Sequence, residues 1–388
     1  MISALVKIAR GFQRGNNPLF SADIGFQQEF IKSLGDPVDD FERGYFQYRC
    51  QMKLLGGRLR FLYNLTSIPL MLLYKMRIAR AYAPTVERAY DAVFIFDGDD
   101  TILPPSLKEN HNIIQAKDCH SQLLLTKEDA VFLTALRKRY PLAWHFRFKC
   151  MMKVAMYRYQ LAVYMPELFV VSSEYSFTSS VLTAYCEKVG VKHVNVMHGE
   201  KLYCMRDAFF HFHECYVWEE HYRKLFTEMQ AETKQFIIGV PPCIAPWEGF
   251  SSLKTMDYTY YLGAEKRLEM EQIKHSLDLL IKAGKKVAVR PHPLYSSFED
   301  MKSVFYRDSN YVIEDKSTLT IETSVLRTRY VVSSYSTVLF QAINNGLNIV
   351  VDDITDEGKY RKLKSLRYIC LEKEHLLLSD VLKNIAFE

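Results

Sequence analysis

Hydrophobic and polar positions divide the chain near Tyr90. Residues 1–90 read as helical and irregular, broken at Gly56-Gly57 and stopped at Pro84. After Tyr90, short apolar runs alternate with longer amphipathic stretches, the pattern of βαβ units around a parallel sheet. The first runs are Ala92–Phe96, Leu168–Val171 (closed by Ser172-Ser173), His193–Met197, Cys215–Trp218 and Phe236–Ile238. Helical stretches lie between them over 127–140 and 143–164, and from Thr178 to Val189, where Gly190 supplies a C-cap. Gly239-Val240-Pro241-Pro242 breaks the pattern and opens a linker. A second set then begins: Tyr258–Leu262 ending at Gly263, a helix from Lys266 to Ala283, Lys286–Val289, Tyr311–Ile313, Tyr330–Val332, a helix from Val338 to Asn344, and Asn348–Val351. The expectation is an N-terminal helical segment (1–90) and two α/β domains (91–245 and 246–388), the latter two doubly wound and facing across a cleft. In such sheets ligands sit outside the carboxyl ends of the strands, and the polar motifs below all fall there.

Composition narrows the function classes. A chain of 388 residues with a net charge of +5 can bury large cores, and its acidic residues nearly match its basic ones, which speaks against a nucleic-acid binder. The eight cysteines are scattered without a CxxC pair, so zinc sites and redox dithiols are not expected and a reducing cytoplasm is. Met1 to Arg10 does not read as a signal peptide. The most apolar stretch, Phe61 to Tyr74, is short for a membrane span and is interrupted by Asn64 and Pro69. From Arg43 to Val86 there are eight Lys/Arg and no Asp or Glu, interleaved with apolar residues. Such a stretch suits either an anionic inner-membrane surface or a packed helix with snorkelling basic side chains.

Four motifs carry candidate chemistry. Arg290-Pro291-His292-Pro293 follows a strand. Its prolines fix the backbone, so His292 can meet a phosphate or protonate a leaving oxygen while Arg290 offsets the charge; the plainer reading is a tight turn. Ser333-Ser334-Tyr335-Ser336-Thr337 joins a strand to a helix, where hydroxyls and free amides can cradle an anion or merely cap the helix. Val196-Met197-His198-Gly199-Glu200 ends a strand of the first domain and offers two groups able to take a proton. Phe96-Asp97-Gly98-Asp99-Asp100-Thr101 is an acidic loop after an apolar strand. Read as DxDxT, it also resembles the first motif of haloacid-dehalogenase-type phosphatases, where Asp97 would be nucleophile and Asp99 acid/base with Mg²⁺. Asp352-Asp353 could then be the downstream acidic pair of that family only across a very long insertion.

The paired Arg290–Pro293 and Ser333–Thr337 motifs, with Ala342 to Val351, resemble the donor domain of a GT-B superfamily. That superfamily includes bacterial sialyltransferases, capsule Kdo transferases and CDP-glycerol glycerophosphotransferases. The resemblance covers residues 258–353 and the first α/β set in outline. It implies a GT-B-like fold, with His292 assisting departure of a CMP phosphate. It further implies nucleotide binding by Arg290, His292, Pro293, Ser333, Ser334, Ser336 and Thr337, beside the turn at Gly263. The His198-Gly199 step is similar to that of the CDP-glycerol transferases, where the histidine is the proposed base. Sialyltransferases use a carboxylate, for which Glu200 and Asp97 stand, although Phe96 occupies the place of a further carboxylate in their motif. The base thus stays open among His198, Glu200 and Asp97. The expected activity is inverting transfer of an acidic sugar, sialic acid or a related nonulosonate, from a CMP donor to a surface glycan or glycolipid. No cofactor or metal is expected. The alternatives are a CDP-polyol phosphotransferase, a Kdo transferase, the Mg²⁺-dependent phosphatase, or a scaffold without catalysis.

Overall fold

The computed structural model describes residues 22–79, 84, 90–248, 253–293, 296, 298–306, 310–315 and 317–386. The Met1–Arg10 stretch and most of the basic stretch beyond residue 79 lie outside these. Contacts divide the chain into two units. One runs to His198 and resumes over Tyr203–Pro242; the other takes Gly199–Leu202 and Cys243–Glu388.

The first unit is built on a six-stranded sheet: β1 (Ala92–Ile95), β2 (Ile113–Ala116), β3 (Leu168–Val171), β4 (Lys192–Val196), β5 (Glu214–Val217) and β6 (Phe236–Ile238). All pairs are parallel, in the order β2-β1-β3-β4-β5-β6. Helices cover the strands, so Val93, Phe94, Phe169 and Val170 are fully buried and β1 and β3 read as unbroken apolar runs. Edge strand β2 escaped the apolar pattern because it is short and mostly half-buried.

Three helices precede the sheet and belong to this unit: Ile24–Leu34, Asp40–Leu55 and Gly57–Ala79. Asp23 and Asp39 cap the first two by accepting from backbone amides of the opening turn. The Asp40–Leu55 helix lies close against the Ser179–Lys188 helix. A Cβ on Gly44 would come within 2.9 Å of the Phe177 carbonyl oxygen and Val181 Cγ2. The third helix packs on Trp144–Tyr164 through Met71, Phe148 and Met151. It runs 23 residues as one helix with Pro69 inside it. Tertiary packing offsets the lost hydrogen bond. No helix among the described residues is long and apolar enough to cross a membrane.

The second unit carries β7 (Met256–Tyr261), β8 (Val287–Arg290), β9 (Val312–Ile313), β10 (Thr328–Ser333), β11 (Asn348–Val351) and β12 (Leu376–Leu377). This sheet is also all-parallel, in the order β12-β11-β10-β7-β8-β9. The helix Arg267–Lys282 lays Met270, Ile273, Leu277 and Leu280 into the core, the spacing of one helical face. The two doubly wound α/β units follow the alternation read from the sequence, with β2 and β12 added at sheet edges. All eight cysteines are free thiols, seven of them buried.

Candidate functional site

In each sheet the strand order reverses at the first strand, where outward loops part and leave room for a ligand. In the first unit that strand is β1, beside β3. Register pairs Ile95 with Val171 and Val171 with Asn195, so the residues just beyond β1, β3 and β4 share one edge. Those residues include Asp97, Ser172 and His198.

His198 is held at Nδ1 by polar neighbours. Its Nδ1 lies 2.6 Å from Ser172 Oγ and 3.7 Å from Glu174 Oε1. Glu174 is fully buried, and its Oε2 accepts from Asn195 Nδ2 at 3.1 Å. Asn195 Oδ1 in turn accepts from the Ser173 amide at 2.8 Å. The rings of Phe96 and Tyr175 stand 6.0 and 5.9 Å from the imidazole, centroid to centroid. Nδ1 faces a hydroxyl and a nearby carboxylate, which orients the ring; Nε2, on its opposite side, is the nitrogen through which an imidazole held at Nδ1 exchanges a proton. A side chain oriented by a second and a third group is the arrangement that general bases use. Ser172 and Glu174 were not singled out in the sequence. The signal was there in Ser172-Ser173-Glu174, directly after a buried strand.

Asp97 is mostly exposed. Its Oδ1 accepts from the Asp118 amide at 3.0 Å, and Oδ2 lies 4.0 Å from His120 Nε2. Asp99 caps the short helix that follows by accepting from the Thr101 amide at 2.9 Å, and Asp100 pairs with Lys108 at 2.8 Å. Asp352, the acidic partner a phosphatase would need, belongs to the second unit and accepts from the Tyr260 hydroxyl at 2.6 Å. Asp353 is bound to Ser379. The carboxylates of the DxDxT reading are therefore dispersed among local partners. Among the described residues no group of three or more His, Cys, Asp or Glu is arranged to hold a metal ion.

In the second unit β7 is the first strand, flanked by β10 and β8, and the motifs of the sequence analysis surround its end. His292 lies two residues beyond β8, and burial lowers its pKa, which favours the neutral imidazole. Its amide donates to Ser296 Oγ at 2.7 Å, and that hydroxyl donates to the Gly263 carbonyl at 3.1 Å. The Gly263 amide donates to Glu265 Oε2, and Ser334 Oγ donates to Glu265 Oε1 at 3.4 Å. The His-Pro loop, the Gly263 turn and the serine loop thus form one hydrogen-bonded network.

Several predicted ligands have structural partners. Arg290 is buried, pairing with Glu314 at 3.2 Å and donating to the Leu319 carbonyl at 2.9 Å. Glu314 also accepts from Arg327 at 2.8 Å and from Ser324. Ser333 Oγ donates across the sheet to the Tyr261 carbonyl at 2.9 Å. Ser336 caps the helix Thr337–Asn344 by accepting from the Val338 amide at 3.2 Å, and the Ser336 amide donates to the Tyr368 hydroxyl at 3.3 Å. Pro293 is exposed, and Thr337 is half-buried at the helix start. Glu200 parts from His198 by falling within the second unit. Burial, with the nearby charges of Cys370 and Glu200, raises the Tyr368 phenol well above its ordinary range.

No family model matches the chain, and no curated protein matches it. Among solved structures the chain is similar to UDP-GlcNAc 2-epimerase from Methanocaldococcus jannaschii in complex with UDP-GlcNAc and UDP, at 10% identity, 78% of this chain, 92% of that chain and a TM-score of 0.44. It is similar to UDP-GlcNAc 2-epimerase from Neisseria meningitidis bound to UDP-GlcNAc, at 8% identity, 76% of this chain, 90% of that chain and a TM-score of 0.45. The wall teichoic acid polymerase TagF with CDPG is similar at 11% identity, over 85% of this chain and 88% of that chain, with a TM-score of 0.44.

Proposed function

We propose that the chain is a GT-B-type transferase that passes a group from a cytidine-nucleotide donor on the second unit to an acceptor hydroxyl activated on the first. The observation that carries this reading is His198 at the carboxyl edge of the first sheet, its Nδ1 held 2.6 Å from Ser172. A neutral imidazole fixed in this way can take a hydroxyl proton at Nε2. A histidine base, with Glu200 placed in the other unit, favours the CDP-polyol phosphotransferase reading. The acidic-sugar reading, with sialic acid or a related nonulosonate moved from CMP, then rests on Asp97 as carboxylate base. Both reactions release CMP, so His292, Ser334 and Thr337 meet the same leaving phosphate. Neither route calls on a metal or other cofactor. A thermal-shift screen against CMP, CDP, UDP and GDP tests the reading. A cytidine nucleotide at a hundredfold excess over Kd is expected to stabilise the protein by about 2.7 kcal/mol, with or without EDTA. No shift with either cytidine nucleotide, or one that EDTA abolishes, overturns it.

We also place the acceptor at an anionic inner-membrane surface, which makes the protein cytoplasmic and peripheral. On the Gly57–Ala79 helix Phe61, Leu62, Leu65, Leu72, Leu73 and Met76 are each at least half exposed. At about 100° per residue they occupy an arc of about 120°. Lys75 and Arg77 flank that arc on either side, and the helix has no acidic residue. Apolar side chains enter the headgroup boundary while flanking cations meet lipid phosphates, each basic residue contributing about 1 kcal/mol near the surface. Flotation with phosphatidylglycerol vesicles at low salt is expected to carry the protein, and Leu65→Asp with Leu72→Asp to release it. Absence of wild-type flotation refutes this placement.

A further inference from the structure

Among the described residues, Arg290 and several amides expected to form the phosphate cradle have partners within the second unit. Arg290 is buried against Glu314. At the start of the Thr337–Asn344 helix, the Ser336 amide meets Tyr368, the Val338 amide meets the Ser336 hydroxyl and the Leu339 amide meets the Ser336 carbonyl. Ser333 is turned to Tyr261. A phosphate leaving with its electron pair needs a positive partner, and these groups supply none.

One cation does reach this end of the sheet. Lys359, in the helix Glu357–Ser365, donates from Nζ to Ser334 Oγ at 2.9 Å. Its ammonium stands 4.0 Å from Glu265 Oε1, and its side chain is 27% exposed, enough to be reached by a ligand. Glu265 is buried and accepts the Gly263 amide on its other oxygen. The long Glu265 contact leaves the ammonium loosely held, able to turn to a stronger anion while it keeps Ser334.

We propose that Lys359 is the cation of a phosphate site at the carboxyl ends of β7 and β10, with the Ser334 hydroxyl as its second ligand and Glu265 as the residue that parks the ammonium when the site is empty. The ligand class is a phosphate monoester or the α-phosphate of a nucleotide. The inference rests on the donor reading of the second unit and names the group that meets the donor's charge, a role expected of Arg290 from its motif. Lys359 carried no sequence signal, because it comes from a helix outside both motifs.

Differential lysine labelling of the full-length protein, quantified peptide by peptide, tests this with inorganic pyrophosphate and with CMP as probes. Either probe is expected to slow labelling of Lys359 at least fivefold and to leave Lys282 and Lys383 unchanged. In parallel, Lys359→Met is expected to weaken CMP at least tenfold and cytidine not at all, with Lys359→Arg restoring part of the loss. A selective effect on the phosphate-bearing ligand separates binding from a general loss of fold. Protection by pyrophosphate without CMP binding keeps the anion site and removes the cytidine reading. Full labelling of Lys359 under both probes, or CMP affinity unchanged in Lys359→Met, overturns the site.

Discussion

Replacing His198 by alanine is expected to lower transfer by about 10²-fold or more, the scale of losing a general base, while CMP affinity stays at the wild-type value. The split follows from location: the imidazole is built by β3 and β4 of the first unit, and the donor motifs belong to the second. Glu174→Gln keeps the shape of the buried side chain and removes its charge. It is expected to cost less than His198→Ala and to move the alkaline-side plateau of the pH–rate profile to lower pH, because an imidazolium formed during turnover loses the carboxylate 3.7 Å away. Glu174 acts through His198, so the shifted pH profile, rather than the size of the loss, identifies its role. Transfer assays on His198→Ala, Glu200→Gln and Asp97→Asn, each with CMP binding measured alongside, check the ranking. If Asp97→Asn alone abolishes turnover, the base is in the acidic loop.

The second large effect is on stability. Glu314 is fully buried and joins Arg290, Arg327 and Ser324. Glu314→Ala leaves two guanidinium groups facing a carboxylate that is gone, and breaking a buried pair from one side costs about 3–5 kcal/mol. Denaturant melts followed by hydrogen exchange in the β8 and β10 peptides are expected to show that loss in the second unit. Replacing Arg290, Glu314 and Arg327 together by apolar residues of similar volume is expected to recover most of it, since the desolvation cost disappears with the charges. A Glu314→Ala protein of wild-type stability with altered CMP affinity would instead return Arg290 to the binding site.

The parallel sheets were legible because strands covered on both faces must be apolar throughout, as Leu168–Val171 and Ile349–Val351 are. β2 and β12 were not, being short, only partly covered strands of four and two residues. Motif positions were readable for the same reason: polar residues directly after a buried strand must lie at a sheet edge. Their partners were harder to read. Ser333 and Ser334 are neighbours in sequence, yet one hydroxyl is spent on Tyr261 and the other meets Lys359. Alternation of strand side chains predicts that such neighbours diverge, but not which of them faces the ligand. Arg290 looked like a ligand because Glu314, its buried counter-charge, lies 24 residues on, outside any motif.

The chain passes between its two units three times, at 198/199, 202/203 and 242/243. A polypeptide synthesised from its N-terminus therefore releases Gly199–Leu202 well before the strands of the unit it joins have been made. That short piece is made forty residues before Cys243, where the chain of its unit resumes. For the same reason a single cut after Pro242 does not separate the two units cleanly. The downstream fragment lacks four residues of its own unit, and the upstream fragment keeps them with nothing of that unit to pack on.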